Sequence, residues 1–119
     1  MSHTPSTHFT TTQNREAAGP FELGTVQWLR EFGSGDRPAL AAGYWFVTTA
    51  EAPEPFPLTA AFDETFHLQE GRLRIEFLDE DETVELAAGD SISYNAGANM
   101  RWTVVENASK FFIYSGGEA

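Results

Sequence analysis

The chain has 119 residues, room for one domain with one core, and its seven Lys and Arg against eighteen Asp and Glu give a formal charge of −11. That sign repels phosphate backbones and anionic headgroups, so neither nucleic acid nor a membrane is expected as a partner. There is no cysteine, which removes a disulfide framework, a thiolate metal site and a cysteine nucleophile; no apolar run approaches the ~20 residues that cross a bilayer, and a cytoplasmic location is expected.

Residues 1–19 hold Ser, Thr, His, Asn and Gly with almost no apolar pattern. They read as a flexible arm, carrying His3 and His8, that is free to dock on a neighbour. From residue 20 to 119 the chain reads as a single domain. Short runs rich in aromatic and β-branched residues are separated by turn formers every eight to twelve residues, the pattern of an all-β fold. The runs fall at 23–32, 40–49, 58–69, 72–78, 83–86, 91–94, 100–106 and 110–115. Breaks are expected at Gly33 to Asp36, Pro53 to Pro55, Glu70-Gly71, Asp79 to Asp81, Ala88 to Asp90, Ala96-Gly97 and Glu106 to Ser109.

Alternation assigns faces, because successive side chains on a strand point to opposite sides. Phe66 and Leu68 share a face with Glu64 and oppose Thr65, His67 and Gln69. Leu73, Ile75 and Phe77 oppose Arg72, Arg74 and Glu76, and Met100, Trp102 and Val104 oppose Arg101 and Thr103. Tyr44 to Val47 and Phe111 to Tyr114 are bulky on both faces, more than one small barrel can bury, which predicts a homodimer. Asp79 to Glu82 lacks the spaced ligands and central Gly of a calcium loop and reads as a solvated hairpin turn. No internal repeat is evident.

Two spacings carry a family resemblance. Glu64 and Gly71 stand as in the first cupin motif, G-x5-H-x-H-x3,4-E-x6-G, and Gly89, Asp90 and Gly97 as in the second, G-x5-P-x-G-x2-H-x3-N. Asp63-Glu64, Leu68 to Gly71, Gly89-Asp90, Arg101-Trp102 and Lys110 to Phe112 narrow the likeness. The sequence resembles the small single-cupin family related to ureidoglycine aminohydrolase and the ethanolamine-utilisation cupin. That resemblance implies an antiparallel single cupin barrel, a double-stranded β-helix or jelly roll, around one internal pocket. It also implies four metal ligands, of which only Glu64 is present. The positions of the first motif's two His fall near Pro57 and Thr59, or Leu58 and Ala60, and Met100 replaces the His of the second. A single carboxylate is too few donors for a transition metal, and His67, three residues along the strand from Glu64, points the other way. Neither a metal nor any other cofactor is expected.

Glu64 is the leading candidate for chemistry, since a carboxyl projecting into a barrel interior can exchange protons with a ligand. Lys110 would offset it if both line the pocket; the alternative is a surface lysine that caps a strand start. Tyr44, Trp45, Phe66, Tyr94, Met100 and Trp102 are candidate pocket residues or core. The chain shows no recognisable Ser-His-Asp set and no glycine-rich phosphate loop. Three functions stay open: a metal-free enzyme acting on a small metabolite or biosynthetic intermediate, a non-catalytic ligand-binding or accessory barrel, and a metal-dependent aminohydrolase-like cupin.

Overall fold

A computed structural model describes residues 8–116. Eight strands follow in chain order: β1 Gly19–Pro20, β2 Thr25–Arg30, β3 Leu40–Val47, β4 Phe56–Thr59, β5 Asp63–Phe77, β6 Glu82–Ala87, β7 Ser91–Tyr94 and β8 Asn99–Ser115. All pairings are antiparallel, in the order β1-β2-β3-β8-β5-β6, with β4 also on β8 and β7 also on β5. The only helical element among the described residues is a single 3-10 turn, Arg15–Ala17.

β5 and β8 form the spine. They pair along their whole length, from Asp63 opposite Ser115 to Phe77 opposite Met100. Two of the expected breaks are therefore corrected: Glu70-Gly71 and Glu106 to Ser109 do not end strands but lie at irregularities inside them. Three register shifts fall between Leu68 and Leu73, so the inward residues of β5 change from even (Glu64, Phe66, Leu68) to odd (Leu73, Ile75), while those of β8 stay even. A bulge of this kind bends the strand and sharpens its twist. Gly71 makes the bend possible: its φ is +88°, and a Cβ there would lie 2.2 Å from the Asn107 carbonyl oxygen. Folded at this point, the ribbon brings the Trp102 ring to 5.8 Å from that of Phe66.

The core between the two halves holds Trp45, Val47, Phe66, Leu68, Leu73, Ile75, Met100, Trp102 and Phe112, all buried. The run expected over 58–69 divides into β4 and the start of β5, and Asp79 to Asp81 make the expected turn into β6.

The described part of the N-terminal arm lies on the outer face of its own barrel. Gln27 accepts from the Asn14 backbone N–H at 2.8 Å and donates to the Thr12 carbonyl at 2.8 Å. The Gln13 and Gln69 amides exchange hydrogen bonds, and the Arg15 guanidinium stands 5.1 Å from the Phe46 ring centroid. Phe46 is buried beneath this segment. His8 is exposed, and His3 lies outside the described residues.

Candidate functional site

Three adjacent strands set the site by register. Glu64 on β5 is opposite Tyr94 on β7 and opposite Tyr114 on β8, so the three side chains share one inward face. Two rows along, Lys110 on β8 is opposite Leu68 on β5 and Trp45 on β3. The period of two along β8 puts Lys110 on the same side as Tyr114.

Glu64 and Lys110 are buried, at 5% and 4% exposure. The Lys110 ammonium donates to Glu64 Oε2 at 2.7 Å, and the Tyr94 hydroxyl donates to Glu64 Oε1. Rings surround the ammonium: its Nζ lies 4.2 Å from the centroid of Phe66, 4.8 Å from Trp45, 4.9 Å from Trp102 and 5.8 Å from Phe112. Ring faces carry partial negative charge and offset part of the desolvation of a buried cation. Burial pulls the Lys110 pKa below its ordinary value, against the opposing attraction and hydrogen bond of Glu64. Burial also pushes the Tyr94 phenol up, with the Glu64 charge and hydrogen bond adding to the shift.

A cavity of about 270 Å³ opens beside this chain of groups. Glu64, Tyr94, Lys110 and Tyr114 contribute its polar atoms on the barrel wall, and Trp45, Phe56 and Trp102 its apolar ones. The loop Phe21 to Leu23 and the stretch Leu58 to Phe62 complete it. Trp45 ties one of these to the barrel, because its indole N–H donates to the Leu23 carbonyl at 2.7 Å.

Of the residues singled out from the sequence, Glu64, Lys110, Trp45, Tyr94 and Trp102 line this cavity. Phe66 and Met100 do not: both are fully buried in the core, Phe66 under the Lys110 ammonium and Met100 accepting from the Trp102 indole N–H at 3.4 Å. Tyr44 is a correction. It lies on the opposite face of β3 from Trp45, and its ring packs against Phe111 at a tilt of 54° with centroids 5.3 Å apart. Sequence reasoning missed Tyr114, Phe56, Phe62 and the Phe21 to Leu23 loop. Alternation from Lys110 through Phe112 marks Tyr114, whereas nothing local marks the loop.

The donor set does not fit the transition metal that the motifs imply. Pro57 and Thr59, or Leu58 and Ala60, supply no imidazole, and Leu58 to Ala60 instead line the cavity. Among the described residues no three His, Cys, Asp or Glu gather as a metal site. Both Glu64 oxygens already accept hydrogen bonds, one from a cation that would repel a metal ion at the same carboxylate. His67 faces outward, its Nδ1 2.8 Å from the Ser91 hydroxyl.

An antiparallel barrel folded from one long bent ribbon, with its cavity between the two halves, is a cupin jelly roll. Residues 39–112 match the family model of the EutQ-like cupin domain, and the chain belongs to that family. Among solved structures it is similar to a putative ethanolamine utilization protein Q of Salmonella typhimurium, at 20% identity and a TM-score of 0.67, covering 98% of this chain and 100% of that one. The Clostridium difficile EutQ protein aligns at 18% identity and a TM-score of 0.64, over 80% of this chain and 69% of that one. An RmlC-like cupin of Shewanella frigidimarina aligns at 16% identity and a TM-score of 0.67, over 95% and 94%. At these identities the likeness establishes the fold. No curated protein matches the chain.

Proposed function

We propose that the cavity binds a small molecule without a bound metal, and that Glu64 is the group that meets it and exchanges a proton with it. One observation carries this reading: a buried chain of Tyr94, Glu64 and Lys110 ends on the wall of an aromatic cavity. A buried ion pair stabilises a fold no better than well-packed apolar residues of the same volume, so its presence on a cavity wall favours a role toward a ligand. Each Glu64 oxygen, with one hydrogen bond accepted, keeps a lone pair for a ligand. Lys110, whose pKa burial lowers, stands beside the carboxyl as a proton source, while Tyr94 holds the carboxyl in place by its hydrogen bond.

A second reading, a non-catalytic binding barrel, is favoured by the engagement of both carboxylate oxygens, each of which already accepts a hydrogen bond within the chain. The experiment for both is a calorimetric and thermal-shift screen of small polar metabolites against the wild-type protein and Glu64→Gln, with NMR observation of each bound ligand over time. Selective loss of ligand response in a Glu64→Gln protein that circular dichroism shows to be folded at the assay temperature, together with product formation by the wild type, supports the enzyme. The same loss without turnover supports the binding barrel, and equal responses from both proteins remove Glu64 from the site. Elemental analysis of the chelator-free protein should find less than one transition-metal ion per chain.

A further inference from the structure

The charges on the cavity wall are unequal. Three ionisable side chains of fixed sign reach it: Glu22, Glu64 and Lys110. The Lys110 ammonium is held 2.7 Å from Glu64 and lies among ring faces, so it is not free to pair with a second anion. Glu22, at the rim, makes no ion pair among the described residues. With Lys110 and Glu64 cancelling as a pair, the fixed charges that line the cavity leave one net negative charge, that of Glu22.

The walls have the matching character. Phe21, Trp45, Phe56, Phe62, Trp102 and Tyr114 contribute rings, and a ring face attracts a cation. Two of them already do so within the chain: Trp45 and Trp102 stand 4.8 and 4.9 Å from the Lys110 ammonium. An entering anion would find no uncommitted cationic side chain on this wall. At about 270 Å³, the cavity sits just below the roughly 300 Å³ at which pockets for drug-sized ligands begin.

We propose that the ligand of this cavity is a small organic cation, a protonated or quaternary amine whose charge lies against the aromatic wall away from Lys110 and is balanced by Glu22 at the rim. This rests on the small-molecule reading above and narrows it to a class. The probe set is choline, dimethylbutanol, in which carbon replaces the nitrogen at constant shape, and dimethylbutyrate, which carries the opposite charge. Binding is read by titration calorimetry and by the NMR signals of the indole N–H groups at low ionic strength. Choline should bind at least about fivefold more tightly than the alcohol, the scale of an ion against ring faces, and dimethylbutyrate most weakly. Added salt should weaken choline binding selectively, because Glu22 is at the exposed rim. Glu22→Gln should weaken choline more than the alcohol.

If the alcohol or the carboxylate binds as tightly as choline, the cation is overturned while the pocket stands. If none of the three perturbs the indole signals across the millimolar range, the small-molecule reading falls with it. A Glu22→Gln protein that retains the full preference for choline overturns the role of the rim carboxylate.

Discussion

The Lys110 ammonium lies 2.7 Å from Glu64 Oε2, and the two side chains keep only 5% and 6% of their exposure. Removing either partner leaves the other charge in a low-dielectric interior, which for a buried pair costs about 3–5 kcal/mol. Lys110→Met and Glu64→Gln should each destabilise strongly, whereas the double variant should recover part of the loss. A coupling of roughly 1–3 kcal/mol is expected from urea unfolding of the four proteins. Additive losses would mean that the two groups do not depend on each other.

Stability should depend on pH through the same cluster. Lys110 is held below its ordinary 10.5 by burial, so between its folded value and 10.5 the unfolded chain binds more protons and stability rises with pH. Tyr94 and Tyr114 are held above their ordinary 10.0, chiefly by burial. Their contribution is whole below pH 10 and is lost as pH climbs toward the raised values. Denaturant midpoints taken from neutral to strongly alkaline pH should rise and then fall. Lys110→Met should flatten the rising limb, and Tyr94→Phe should soften the fall. A rising limb untouched in Lys110→Met would assign it to other groups.

The bend in the ribbon should be sensitive to one methyl group. Gly71→Ala places a Cβ 2.2 Å from the Asn107 carbonyl oxygen at a φ of +88°. The backbone conformation alone costs about 1–3 kcal/mol in a residue with a side chain, and the clash adds to it. Gly89→Ala, at a φ of +100° with nothing within 4 Å, carries only the first cost. Equal urea midpoints for the two variants would mean that β5 and β8 relax apart without loss.

We expect the protein to be a homodimer. Tyr44 on β3 and Phe111 on β8 pack together on the outer sheet face, and Ile113 on β8 is 39% exposed. An apolar patch of this kind on a sheet is a common subunit contact. The segment over Phe46 covers part of this face, which leaves Tyr44, Phe111 and Ile113 for a second chain. Light scattering should report twice the chain mass at micromolar concentration, and Ile113→Lys should lower it. A monomeric wild type would rule the interface out.

The sequence by itself determined the β-only architecture, the cupin spacings and the inward face of β5. Alternation is a local property, and burial of one strand face forces it whatever the partner strands are. Glu64 with Phe66 and Leu68, against His67 outside, was legible for that reason. Lys110 was not, because Glu106 to Ser109 read as a break, and a break discards the parity that runs unbroken from Met100 through Trp102 and Val104 to Lys110. Only the pairing of β8 with β5 across the bulge shows that the strand continues. Tyr44 failed for the opposite reason: both faces of β3 are bulky, so alternation could not tell pocket from outer surface. The cavity's far wall, Phe21 to Leu23, lies more than forty residues from Glu64 in the chain. Only the tertiary structure brings that loop to the site, through the indole N–H of Trp45 and the carbonyl of Leu23, because such a long-range hydrogen bond leaves no periodic trace in sequence.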